Sequence, residues 1–282
     1  MPELPEVETI ARELSRILPG KRIVGIEVRR AKSLIGNKNE IIGKTIDAVE
    51  RRSKMTAIGF KNYSKKLIVH LKMTGQLIYL SGSHRVVGGH PTPDWVSELP
   101  SRATRVVIDF DDESKLFFND LRVFGWLKIL NETDWGKLVG KLPPDVTSRE
   151  FSLIYFRSAI AKSGRPIKII LMDQEKIGGV GNIYANDALY LAKIDPRRKA
   201  KEITEKEAKS LYEAVRKVIN LGIKYGGASV DKYVDAAGLG GKYQDHFLVY
   251  QRNGQKCKRD GEVIRKIKLG GRGTYYCPAC QA

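Results

Sequence analysis

Proline is the second residue of the chain, and acids follow it at Glu3 and Glu6. A small second residue permits removal of Met1, which leaves Pro2 with a free secondary amine. An α-amino group titrates at about 7.7–8.0, so a useful fraction is unprotonated at neutral pH. Such an amine can attack an anomeric carbon and form an iminium, which acidifies the neighbouring carbon–hydrogen bond. Glu3 is placed to act as general acid and base, with Glu6 one turn further on. The same residues also suit an ordinary helix start, where proline fits the first turn and acids complement the helix dipole. On these residues alone the helix-start reading is the favoured one.

A second concentration of chemistry lies at the other end. All three cysteines fall within the last 26 residues, too few for a disulfide framework and clustered as metal ligands are. Cys277-Pro-Ala-Cys280 is half of a zinc-ribbon pair. Its partner begins at Cys257, but Asp260 stands three residues later, and 16 residues separate Asp260 from Cys277. A carboxylate also ligates zinc, and three thiolates with one carboxylate carry the charge of four thiolates. Cys257, Asp260, Cys277 and Cys280 therefore favour one structural zinc ion, more easily stripped because oxygen is the harder ligand. Alternatively the hairpin stands by packing alone. The ligands lie far in sequence from Pro2, so the ion has a structural place, and no redox cofactor is implied. Between Gln251 and Tyr276 there are eight basic and two acidic residues, which among metal ligands suggests phosphate contact.

The elements that must position these groups follow from composition and pattern. The chain has 282 residues, enough for about two domains, and 42% hydrophobic content supports packed cores. Fifty basic against 32 acidic residues give a net charge of +18, which favours a polyanionic partner through counterion release. Nucleic acid fits best, ahead of a basic protein without such a role and of an anionic membrane surface. No apolar run approaches the roughly 20 residues of a membrane span. Acids and prolines stand where a signal peptide would be basic and then apolar, so a cytoplasmic protein is expected.

Val7, Ile10, Ala11, Leu14, Ile17 and Leu18 share one helical face, and Pro19-Gly20 stops the helix. Short apolar or alternating runs then follow at Ile23–Val28, Thr45–Val49, Leu67–Leu71, Gln76–Leu80, Arg105–Phe110 and Lys115–Phe118, which predicts an antiparallel sandwich or barrel. The stretch Ser81–Pro100, rich in Gly, Pro and Ser, reads as a long surface loop. Pro143-Pro144 marks a linker. Beyond it Thr204-x-x-Glu207 is a capping box that opens a helix through about Ile223, ended by Gly226-Gly227.

Five ordered motifs carry a family resemblance. Pro2-Glu-Leu-Pro-Glu-Val-Glu-Thr-Ile10 resembles the opening signature of the formamidopyrimidine-DNA glycosylases, bacterial excisers of oxidised purines. Lys54 in Arg51-Arg-Ser-Lys-Met resembles the family's lysine turn, and His70-Leu-Lys-Met-Thr-Gly75 its methionine loop. Asn119-Asp-Leu-Arg-Val-Phe-Gly125 is similar to its arginine–phenylalanine loop. Asp173-Gln, followed by Gly178-Gly-Val-Gly-Asn-Ile-Tyr-Ala185, is similar to its helix–two-turn–helix signature.

The resemblance implies roles that physics can meet. A base inside a duplex must be flipped out before its glycosidic bond is reached, and the vacated space must be filled. Met73, Arg122 and Phe124 match the residues that fill it, and a thioether, a planar cation and a ring suit a base-shaped hole. Lys54 matches a residue beside the damaged nucleotide. Lys168 and Asn182 match positions that grip the backbone, where the Gly178–Gly181 turn could present amides to phosphate. Arg272, in Gly270-Gly-Arg-Gly-Thr-Tyr, resembles the finger arginine implicated in the second strand cut. The loop from Gly226 to Tyr243, with Gly238-Leu-Gly-Gly241, corresponds to the segment that closes over the flipped base and should be mobile in the free protein. Leu121 and Val123 depart from the family loop, where a proline and an arginine are common. No DNA contact is carried over from Arg102-Ala-Thr-Arg105.

The expected fold is α+β. An N-terminal helix and antiparallel β-sandwich form a catalytic domain over 1–132, and 133–150 is a linker. A helix–two-turn–helix DNA-binding domain spans 151–250, and a zinc-finger-like β-hairpin spans 251–282. The expected activity is that of a monomeric bifunctional glycosylase and abasic-site lyase acting on 8-oxoguanine and formamidopyrimidines in duplex DNA. Two alternatives remain: an endonuclease VIII-type enzyme for oxidised pyrimidines, and a binder of damaged DNA without activity. The Leu4-Pro5 opening and the long glycine-rich loop favour the purine enzyme over the first. Retention of Pro2, Glu3, Glu6 and Lys54 argues against the second.

Overall fold

The computed structural model describes residues 2–229 and 240–282, and these group into two compact units. The first holds residues up to 140 together with 225–242, and the second holds 141–224 with 243–282.

In the first unit, helix α1 (Leu4–Ile17) forms where the apolar spacing predicts it and buries Leu4, Val7, Ile10, Ala11 and Leu14. Two five-stranded sheets follow. One has the order β1 (Ile23–Val28), β8 (Thr104–Phe110), β9 (Lys115–Asp120), β6 (Gly75–Ser81) and β7 (His84–Gly89). The other runs β2 (Leu34–Ile35), β10 (Trp126–Leu130), β5 (Tyr63–His70), β4 (Met55–Phe60) and β3 (Ile46–Arg52). All pairings are antiparallel except the short β2–β10 contact. Leu67, Val69, Leu77, Val106, Ile108 and Phe118 fill the core with Val7, Ile10 and Leu14 of α1. The helix packs on β3 and β7, which are edge strands of the two sheets, so it covers hydrogen-bonding edges that would otherwise invite association. Helix α2 (Glu132–Gly140) closes the unit.

The expected loop at Ser81–Pro100 is a correction. His84–Gly89 pairs with β6 in full register. Trp95 is buried with Ile78, Val107 and Phe117, on the sheet face away from α1. Gly88 misled the reading: a Cβ there would come within 2.4 Å of the Ile10 side chain, so this glycine permits close helix–strand approach inside a strand.

The second unit is helical, with α3 (Leu153–Ala161), α4 (Ile167–Leu171), α5 (Asn182–Ala192) and α6 (Glu205–Lys224). The capping box at α6 is formed: Thr204 N donates to Glu207 at 2.8 Å and Glu207 N to Thr204 Oγ1 at 3.3 Å. The hairpin β11 (Arg265–Leu269) and β12 (Arg272–Tyr276) packs on these helices. Tyr275 N donates to the buried Asn186 Oδ1 at 2.7 Å. Asp187, fully buried on α5, accepts the amides of Leu248, Val249 and Tyr250 and the Tyr243 hydroxyl, which moors the segment leading to the hairpin. No described helix is long and apolar enough to cross a membrane.

Candidate active site and nucleic-acid interface

Pro2 and Glu3 are buried at the start of α1, and Met1 lies outside the described residues. Glu3 caps the helix, and Glu6 three residues on turns back so that its Oε2 accepts the Glu3 amide at 2.8 Å. Its Oε1 accepts the amide of Ala228 at 2.8 Å. The two oxygens therefore fix backbone on either side, and Glu6 holds Glu3 in place. The helix-start expectation is met, with the reciprocal Glu3–Glu6 capping box in place.

Lys54 lies on the two-residue turn joining β3 to β4, where Ser53 adopts φ 53°. It is buried to 8% exposure, unlike an ordinary strand-end lysine. A chain of contacts ties its turn to α1. The guanidinium of Arg51 pairs with the Glu8 carboxylate and donates to Ser53 O at 2.8 Å. Burial pushes the Glu8 carboxyl up, but Arg51 and Arg12 outweigh it and hold the group below its ordinary value. Beside Lys54 is His70, whose Nδ1 accepts the Lys72 amide at 3.0 Å. Burial, with Lys72, Lys54 and Lys128 nearby, drives the imidazole down to about 3. It is neutral at working pH, with Nε2–H left as the donor.

Met73 sits half-buried in the turn between β5 and β6, and Arg122 and Phe124 follow β9. The two loops meet. Arg122 N donates to Thr74 Oγ1 at 3.0 Å, and the Arg122 guanidinium lies 4.8 Å from the centre of the Phe124 ring. Phe124 is 50% exposed and Leu121 55% exposed, so this loop shows apolar side chains to solvent. Arg105, from the stretch that yielded no expected contact, donates to Asp120 O at 2.8 Å and braces this loop from below.

In the helical unit, Gln174 organises the glycine turn. Its Oε1 accepts Gly179 N at 3.1 Å and its Nε2 donates to Val180 O at 2.7 Å. Asn182 then opens α5, at the positive end of the helix dipole. Asn182 lines a groove of about 490 Å³ with Lys266, Lys268, Gly271 and Tyr275 of the hairpin. The Gly270-Gly271 turn, with φ of 56° and 75°, presents Arg272 exposed at its end. Asn182 and the finger hairpin thus share one basic surface.

Lys168 does not belong to that surface. It is fully buried on α4, and its ammonium donates to Gly273 O at 2.9 Å and Thr274 Oγ1 at 2.7 Å. A side chain with no exposed area cannot grip a phosphate, so the expected backbone contact is corrected to an internal tie between α4 and β12. The closing-loop expectation for Gly226–Tyr243 falls largely on 230–239, outside the described residues.

One ligand atom each from Cys257, Asp260, Cys277 and Cys280 lies within 4.8 Å of the others. Cys257 Sγ is 4.0 Å from Cys280 Sγ, and Cys277 Sγ is 3.3 Å from Asp260 Oδ2. Zinc–sulfur bonds of about 2.3 Å in a tetrahedron put sulfurs about 3.8 Å apart, so the set fits one structural zinc ion. Arg259 surrounds it: its amide lies 3.4 Å from Cys257 Sγ and its guanidinium 3.8 Å from Cys280 Sγ. That guanidinium also donates to Tyr190 O and Leu191 O, in the last turn of α5, at 2.6 and 3.0 Å. Such outer donors offset thiolate charge and fix the ligands. Sequence reading missed Arg259 because only the metal cluster gives it meaning.

Comparison with known proteins matches these regions in order. The formamidopyrimidine-DNA glycosylase N-terminal domain matches residues 1–127, the H2TH domain of that enzyme matches 142–234, and the zinc finger found in FPG and IleRS matches 254–282. The chain is 38% identical to the formamidopyrimidine-DNA glycosylase of Pelotomaculum thermopropionicum, over 100% of this chain and 99% of that one. A Lactococcus lactis FPG mutant in complex with Fapy-dG-containing DNA is similar in structure, with TM-score 0.87, 32% identity and 99% coverage of each chain. The wild-type Lactococcus lactis FPG with oxidised-pyrimidine DNA gives TM-score 0.85, 32% identity and the same coverage.

Proposed function

Because this chain belongs to the formamidopyrimidine-DNA glycosylase family, a group of zinc-finger DNA-repair enzymes that act on damaged duplex DNA, we propose that it excises oxidised purines, 8-oxoguanine and formamidopyrimidines, and then cuts the strand. The observation that carries this reading is the buried Pro2–Glu3 pair, held by the Glu6 carboxylate at the start of α1.

Removal of Met1 makes Pro2 the amino terminus. Its nitrogen attacks C1′ of the damaged nucleotide, the glycosidic bond breaks, and the base leaves with a proton. Glu3 protonates the sugar ring oxygen as the ring opens, and the nitrogen lone pair completes an iminium. The iminium acidifies the C2′ proton. Its loss expels the 3′ phosphate, and a second elimination expels the 5′ phosphate to leave a one-nucleoside gap. Glu6 acts through Glu3, and the Lys54 ammonium offers charge to the phosphate or sugar.

Met73, Arg122 and Phe124 fill the space left by the flipped base, and Asn182 and Arg272 contact phosphates. A duplex-DNA substrate puts the enzyme in the bacterial cytoplasm, in the cytosol or at the nucleoid. Excision of 8-oxoguanine and of thymine glycol from otherwise identical duplexes tests the purine assignment. The reading expects 8-oxoguanine to be removed at least tenfold faster. Faster removal of thymine glycol would replace it with the oxidised-pyrimidine reading, which the Lactococcus lactis complex with such DNA keeps in view.

A further inference from the structure

Resting on that reading, we propose that Asp120 is a positioning residue that couples the two wedge loops, so that Met73, Arg122 and Phe124 enter the DNA stack as one body. Asp120 ends β9 and has no exposed surface. Its Oδ1 accepts the hydroxyl of Thr74, the neighbour of Met73, and the amide of Arg122 at 3.3 Å. Its Oδ2 accepts the amide of Gly125 at 2.6 Å. The Thr74 hydroxyl also accepts the Arg122 amide at 3.0 Å, so one carboxylate and one hydroxyl knit both loops.

The backbone that carries this carboxylate is itself anchored. Asp120 N donates to Ala103 O at 2.8 Å, and Arg105 Nε donates to Asp120 O at 2.8 Å. A Cβ at Gly125 would lie 2.8 Å from Phe118 Cζ and 3.1 Å from Asp120 Oδ2, so only glycine brings that amide onto the carboxylate. Between them Val123 is held at φ 54°, a conformation β-branched residues avoid. A network of charge-assisted bonds overrides that strain.

The chemistry needs this rigidity. Filling the hole of a flipped base opposes restacking, and the unstacking cost is a few kcal/mol, repaid only if the inserted groups fit. Loops that move independently would insert one group at a time, and a misplacement of about 1 Å costs on the order of 100-fold in rate. Asp120 touches neither the lesion nor the reacting atoms. It acts through the loops.

The test compares wild type with Asp120→Asn, Asp120→Ala and Thr74→Val, the last removing only the bridging hydroxyl. Three readouts are taken: single-turnover excision of 8-oxoguanine from a fully paired duplex, β-elimination at a preformed abasic site in single-stranded DNA, and fluorescence of 2-aminopurine opposite an abasic analogue. Single-stranded DNA has no hole to fill. The inference expects duplex excision to fall 10- to 100-fold with loss of the fluorescence change, while single-strand elimination stays within twofold, Asp120→Asn and Thr74→Val being milder than Asp120→Ala. Equal loss on both substrates would mean general damage to the fold, and unchanged duplex excision would mean no coupling; either overturns the inference. Failure of the wild type on every substrate would instead overturn the enzymatic reading.

Discussion

The Glu6 carboxylate accepts the amide of Ala228 at 2.8 Å while its other oxygen accepts the amide of Glu3 at the same distance. One buried side chain thus joins the N-terminal end of α1 to a segment more than 200 residues later in sequence. Removing it leaves two buried amides without this acceptor. Glu6→Ala is expected to destabilise the protein by about 3 kcal/mol, and Glu6→Gln by less because one oxygen remains. Urea unfolding checks this, and an unchanged midpoint for Glu6→Ala would refute it.

The neutral state of His70 has a pH signature. Burial, followed by Lys72, Lys54 and Lys128, lowers its folded value to about 3 from an ordinary 6.5. Between those limits the unfolded chain binds the proton and the folded chain does not. Stability is therefore complete above about 6.5 and falls as the pH drops toward 3. His70→Asn keeps an acceptor for the Lys72 amide but cannot titrate, so its stability should be flatter with pH across that window. Parallel curves from thermal melts at pH 7, 6, 5 and 4 would contradict the assignment.

Val123 carries the loop strain. Left-handed backbone costs an L-residue about 1–2 kcal/mol, and asparagine tolerates it far better than a β-branched residue. Val123→Asn should raise stability by about 1 kcal/mol with excision unchanged, whereas Val123→Pro, fixed at negative φ, should disrupt the loop. Differential scanning calorimetry reads both. A destabilised Val123→Asn would show that the side chain packs more than it strains.

Much of this architecture was legible beforehand. The periodicity of Val7 to Leu18 gave α1 to within a few residues, and the Thr204–Glu207 box located α6. Short alternating runs marked six of the strands. Met55–Phe60 and Trp126–Leu130 were not read as strands, and His84–Gly89 was missed because its glycines looked like turns. At the site, chemistry-bearing residue types were visible, but partnership was not. Lys168 looked like any basic residue, and only tertiary packing turned its ammonium toward Gly273 and Thr274. Asp120 and His70 were visible only as members of motifs. Their roles come from bonds between segments far apart in sequence.

Asp260 makes the metal site separable from the fold of its neighbours. Oxygen is a harder ligand than thiolate, so a competing chelator should strip zinc from this protein faster than from Asp260→Cys. Asp260→Ala should lose the ion and loosen the hairpin. Zinc content by mass spectrometry, beside amide exchange of β11 and β12, follows both. Equal retention by Asp260→Ala and wild type would remove Asp260 from the ligand set.

The central claim is that the Pro2 nitrogen bonds covalently to the damaged sugar. Sodium borohydride trapping on a duplex with 8-oxoguanine opposite cytosine tests it most directly, with peptide mapping of the adduct and with Pro2→Gly and Glu3→Gln alongside. The account predicts a reduced adduct on Pro2 of the mature chain, with trapping much diminished in both variants. An adduct that maps to Lys54 or another lysine, or strand cleavage with no trappable adduct, would contradict it.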